Sequence, residues 1–113
     1  MITPHLFMDA HVGLISNRHP QPVEGYIWTD TITDPLDFDA LESHAERWID
    51  DVVKYDLDNQ VVDTMFLYLS GLTSCIISFL KAWERKGHTL ADNLVLMYHD
   101  RETDNYIGQE WKV

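Results

Sequence analysis

Met65-Phe66-Leu67-Tyr68-Leu69, followed at once by Ser70-Gly71-Leu72-Thr73-Ser74, is the stretch on which the fold turns. An unbroken apolar run of this length belongs to a buried, central strand covered on both faces. The glycine and hydroxyl residues after it break the strand. A helix is then expected over residues 75–86, with Ile76, Ile77, Phe79, Leu80 and Trp83 as its apolar residues. Gly87 stands where a C-cap glycine belongs, after Arg85 and Lys86, whose charges suit the negative helix end.

Working outward, residues 94–99 (Leu94-Val95-Leu96-Met97-Tyr98-His99) form another apolar strand. Asp100 to Asn105 is polar and turn-prone, and residues 106–111 complete a terminal hairpin. Upstream, Asp34-Pro35 is expected to start a helix, with Asp34 capping free N–H groups and Pro35 at the first helical position. Phe38, Leu41, Ala45, Trp48, Val52 and Tyr55 recur at steps of three and four, one apolar stripe. The opposite face carries Asp39, Glu42, Glu46, Asp50 and Lys54 and reads as solvated. Residues 6–15 and 25–32 read as two further strands, joined through the His19-Pro20-Gln21-Pro22 loop and close enough to pair as a hairpin. The expected order is β-β-α-β-α-β-β: an α+β fold in which two helices cover one face of a mixed sheet of about five strands. A parallel pairing of residues 65–69 and 94–99 would make the helix between them a right-handed crossover.

The 113 residues suit one domain, and 45% hydrophobic content supplies a core. No stretch approaches the roughly 18 apolar residues of a membrane helix. The N-terminus lacks the basic and apolar regions of a signal peptide, so a cytoplasmic location is expected. The lone Cys75 excludes an intrachain disulfide and reads as a buried helix residue. Against 8 Lys and Arg stand 19 Asp and Glu, a net charge of −11. Such a surface disfavours long nucleic acids and suits a basic partner or a carboxylate metal site; its plainest consequence is solubility.

Two segments can carry chemistry. The Ser70–Ser74 turn lies between a strand end and a helix N-terminus, where free N–H groups and the helix dipole hold a phosphate or carboxylate. Gly71 allows close approach, and Ser70, Thr73 and Ser74 add hydroxyl donors. The structural alternative is a turn in which Thr73 or Ser74 caps the helix. The second segment is Tyr98-His99-Asp100-Arg101-Glu102. His99 can serve as a general base or metal ligand, Asp100 as a metal ligand or as the group orienting His99, and Arg101 as a phosphate clamp. Neighbouring strand residues point opposite ways, so not all can share one site. The alternative here is a charged hairpin turn. The remaining histidines, His5, His11, His19, His44 and His88, show no ligand spacing and read as scattered surface residues. No G-x-S-x-G motif is present.

Phe66-Leu67-Tyr68-Leu69-Ser70-Gly71, then a helix, then Leu94-Val95-Leu96-Met97-Tyr98-His99-Asp100-Arg101 and a strand ending near Gln109 resembles the small CRISPR-associated Csx-type ring nucleases. Those proteins degrade cyclic oligoadenylate, the second messenger of type III CRISPR immunity. The resemblance covers roughly half the chain. It implies ligand phosphates near Ser70, Gly71 and Thr73, and chemistry or metal binding near His99, Asp100 and Arg101. The chain departs from the family pattern in the extra His99 between Tyr98 and Asp100, and in a following helix without histidine.

The expected function is therefore an antiviral-defence protein that binds a cyclic oligoadenylate, with cleavage as a metal-dependent phosphodiesterase a further option. Mn²⁺ or another divalent ion would sit at Asp100, and a homodimer would complete the site for a symmetric ligand. Arg101, Lys81 and Arg85 would supply a local positive patch. A second reading is a non-enzymatic acidic inhibitor presenting Asp39, Glu42, Glu46, Asp50 and Asp51 to a basic groove. A third is a structural subunit whose Trp28, Trp48, Trp83 and Trp111 fill core and interface.

Overall fold

The computed structural model describes residues 5–16, 21–29, 32–70 and 72–112, with 5–7 in backbone only. The strands are β1 (His5–Ile15), β2 (Gly25–Trp28), β3 (Val61–Tyr68), β4 (Ala91–Asp100) and β5 (Asn105–Trp111); the helices are α1 (Phe38–Asp51) and α2 (Thr73–Lys86). Their order along the chain is β-β-α-β-α-β-β, as the sequence implied. The fold is α+β, with one mixed sheet in the order β2-β1-β3-β4-β5. β3 is its middle strand, as the run at Met65–Leu69 suggested.

β1 to β4 are all parallel, and only β5 runs antiparallel, against β4. The first two strands are therefore not a hairpin. Val12 pairs with Gly25 and Ile15 with Trp28, so residues 16–24 bring the chain back by only three residues of strand, about 10 Å. A nine-residue connection spans that with ease, although parallel neighbours ordinarily need a longer crossover. Gly13 is essential to the pairing. A Cβ there would sit 2.4 Å from the Tyr26 ring and 3.0 Å from Gln21 Oε1. Gln21, shortly before β2, thus lies over the sheet at Gly13. His19, Pro20, Asp30 and Thr31 lie outside the described residues.

Alternation decides the two faces of the sheet. Val12, Leu14, Met65, Leu67, Leu94 and Leu96 are buried in one cluster with Leu41, Ala45 and Ile49 of α1 and Phe79 and Trp83 of α2. Trp48 meets Phe79 edge-on at 6.3 Å, joining the helices. The other face carries His11, Phe66 and Val95 in register, then Gly13, Tyr68 and Met97. Among the described residues no helix covers it, so β3 is central without being sandwiched there: Phe66 is only partly buried.

Both helix starts differ from the sequence reading. Asp34 accepts from Leu36 N at 2.9 Å and builds a turn around Pro35; Asp37 is the N-cap, accepting from Ala40 N at 3.2 Å. After Asp51 the chain widens into a π-helical segment, Val52–Asp56. The buried stripe becomes Leu41, Ala45 and Ile49, while Phe38 and Tyr55 are exposed. Gly87 ends α2 with φ −59°, not in the left-handed region. Its lack of a side chain serves packing, since a Cβ would fall 2.2 Å from Trp83 Cδ2.

Candidate functional site

Because β1 to β4 are parallel, their carboxyl ends share one edge. The chain steps from β1 to β2 on one side and returns to β3 on the other, so the strand order reverses between β1 and β3. A crevice outside that reversal is where open parallel sheets bind ligands. In this chain Ile15, Ser70 and the start of α2 stand at that reversal.

The two segments singled out in the sequence reach this same edge. Leu69 N donates to Met97 O at 3.0 Å, setting the exit of β3 beside the upper part of β4. Ser70 is committed: its Oγ donates to Ile15 O at 3.1 Å and ties β3 to β1 across the reversal. Gly71 lies outside the described residues. The N-cap of α2 is Leu72, in extended conformation (φ −83°, ψ 131°), which has no side-chain acceptor to offer. Thr73 and Ser74 are thus first-turn residues rather than caps. Thr73 is exposed, Ser74 partly so, and neither hydroxyl is bonded among the described residues.

His99 and Asp100 continue β4 beyond the edge, paired with Tyr106 and Asn105 of β5. They point to opposite faces of the ribbon. His99 Nε2 lies 2.8 Å from Asp104 Oδ1, so Asp104, not Asp100, is its carboxylate partner. Asp104 holds φ 55°, the left-handed turn conformation that closes the hairpin and aims its carboxylate back at His99. Asp100 Oδ1 instead accepts from Glu102 N at 2.9 Å. Arg101 is exposed at the turn and unpaired among the described residues. Among those residues no three His, Cys, Asp or Glu side chains gather as a metal-binding group. Asp100 keeps its second oxygen uncommitted.

The positive patch is reduced to Arg101 and Lys81. Arg85 donates to Glu46 at 2.6 Å and Glu42 at 2.9 Å, and Lys86 to Asp50 at 2.7 Å. These bonds hold both basic side chains above their ordinary pKa, chiefly through the hydrogen bonds to Glu46 and Asp50 respectively. The face of α1 read as solvated is thus a ladder of ion pairs between the helices.

Sequence reasoning missed the uncovered sheet face. His11 Nδ1 lies 3.0 Å from Tyr68 Oη, and its ring stacks on Phe66 at 4.9 Å. Tyr68 meets Tyr106 edge-on at 4.9 Å, and Tyr106 meets His99 at 5.3 Å. Burial, then Tyr106, pushes the Tyr68 hydroxyl above its usual pKa, so it stays protonated. The His11 tautomer sets which of the two donates in this bond. The signal for this row was a period of two, Asp9-x-His11-x-Gly13 against Phe66-x-Tyr68. His44, also read as a surface residue, is half-buried: Nε2 donates to Ile27 O at 2.7 Å. Cys75 is fully buried in α2, and burial pushes its thiol pKa up.

Among the described residues no helix is long and apolar enough to cross a membrane. Comparison with known proteins returns no matching family model, no matching curated protein and no matching solved structure.

Proposed function

We propose that this chain binds a cyclic oligoadenylate at the carboxyl edge of its parallel strands, in the cytoplasm, as part of a CRISPR or phage-defence response. One observation carries the reading: β3, which runs out into Ser70, and β4, which runs on into His99 and Asp100, are parallel neighbours, so both polar segments leave the sheet at one carboxyl edge. There the α2 N-terminus has no side-chain cap, and two hydroxyls and one guanidinium have no protein partner among the described residues. Backbone N–H groups, Thr73 and Ser74 would bind one phosphate and Arg101 another. Ser70 would act by holding the crevice together rather than by touching the ligand.

In cleavage His99, oriented by Asp104, would take the proton of a ribose 2′-hydroxyl as its oxygen attacks the adjacent phosphorus; a 2′,3′-cyclic phosphate would form, the P–O5′ bond would break and the leaving 5′-oxygen would take a proton from water. The donor set builds no metal centre of its own, so a divalent ion such as Mn²⁺ would be one shared between Asp100 and the ligand's phosphates. A second copy would complete the site around a symmetric ring. The acidic-inhibitor reading is weaker, because Glu42, Glu46 and Asp50 are already bonded to α2.

The test is thermal unfolding against cyclic oligoadenylates of several ring sizes, with and without Mn²⁺. A ligand that binds only the folded chain raises the midpoint with its concentration. The expected result is a rise with one ring size that is lost in Thr73→Val and Arg101→Gln. No shift with any ring at saturating concentration overturns the reading.

A further inference from the structure

A cavity of about 430 Å³ lies where β2 ends and α1 begins, on the same carboxyl edge. That is within the usual size of a small-molecule site, roughly 300–1,000 Å³. Trp28, Asp34, Asp37, Leu41, His44 and Arg47 line it.

Its wall is held rigid. The His44 ring stacks on Trp28 at 5.1 Å, 15° from parallel, and its Nε2–H is spent on Ile27 O. In the neutral ring this leaves Nδ1 as an acceptor. Asp34 and Asp37, both exposed, each use one oxygen on a backbone N–H, at Leu36 and Ala40, and keep the second oxygen as an acceptor. Arg47 is exposed and unpaired among the described residues, in a chain of net charge −11. An apolar, aromatic wall, a set of acceptors and one unpaired guanidinium fit a flat base that donates from an exocyclic amine and carries a phosphate.

We infer that this cavity binds an adenine nucleotide unit, its amine on the Asp34 and Asp37 carboxylates and its phosphate on Arg47. The inference rests on the proposed function, since the ring would supply such units, but a single nucleotide tests it alone. Trp28 in the wall supplies the readout. Intrinsic fluorescence of the full chain should change saturably with AMP. Purine riboside monophosphate, which lacks the exocyclic amine and has no N1–H, should bind at least about tenfold more weakly. Arg47→Gln, at an exposed helix position, should weaken AMP about tenfold with an unchanged melting midpoint. Asp37→Asn retains a competent cap and should also weaken AMP. Equal binding of AMP and purine riboside monophosphate, AMP binding unchanged in Arg47→Gln, or no saturable AMP response overturns the inference. A cyclic oligoadenylate titrated in parallel separates the two proposals. A ring that binds wild type and Arg47→Gln equally overturns the cavity assignment and spares the edge. AMP binding that depends on Arg47, with no ring binding, supports the cavity and sinks the ring.

Discussion

Gly87 and Tyr68 show how single positions carry the fold. At Gly87 the backbone suits any residue, so a substitution meets only the Trp83 indole. Gly87→Ala should cost about 1–3 kcal/mol in urea unfolding, and pairing it with Trp83→Leu should recover part of that loss. Tyr68 carries a pH dependence. Its hydroxyl is raised above 10.0 in the folded chain, chiefly by burial, so the folded state holds this proton more tightly than the unfolded state. The contribution is complete below about pH 10 and is lost as pH rises through the raised folded value. Tyr68→Phe should cost about 1 kcal/mol at neutral pH through the lost His11 bond. It should also flatten the alkaline fall in urea midpoint. A residual fall should remain, because Arg85 and Lys86 are also raised and shift stability in the same direction. An alkaline fall in the variant as steep as in wild type would show that Tyr68 does not titrate this way. Neither role was legible in the sequence. Gly87 is the C-cap the sequence implied, but its missing side chain makes room for Trp83 rather than a left-handed turn, and Tyr68 looked like one more apolar residue of its strand.

Local patterns named every strand and helix, since periods of two and near four survive whatever surrounds them. Long-range pairing was a different matter. The return from β1 to β2 looked like a hairpin because a short connection usually is one. What decides it is the end at which the chain re-enters the sheet, and only the partner's register reveals that. The Asp34-Pro35-Leu36-Asp37 sequence holds two capping carboxylates three residues apart, and Pro35 let the first build a turn so that the second became the cap. The acidic face of α1 found its cations on α2, some forty residues away in sequence. This ladder is exposed, so its weight should depend on salt. Arg85→Glu, placed against Glu42 and Glu46, should lower the melting midpoint at low ionic strength, and most of the loss should vanish at high salt. A loss that salt does not change would mean that packing of the Arg85 stem, rather than charge, couples the helices.

In the molecule as a whole, the parallel run β2-β1-β3-β4 gathers what the sequence kept apart. The Ser70–Ser74 turn and the His99–Arg101 segment were legible because each combines polar groups with a strand end. That both leave the sheet at one edge depended on β3 and β4 being parallel, which their register shows. Asp104 as the partner of His99, and the cavity between Trp28 and Arg47, were hidden because they join residues from different elements or across a turn. The central claim is that the carboxyl edge, rather than the uncovered face or the helix ladder, receives the ligand. Backbone amide shift mapping of the labelled chain during titration with a cyclic oligoadenylate tests it most directly. The account predicts that the largest perturbations fall at Ser70, Thr73, Ser74 and His99 to Arg101. Perturbations centred on Glu42, Glu46 and Asp50, or at the opposite edge around Ala91 and Asp92, would contradict it.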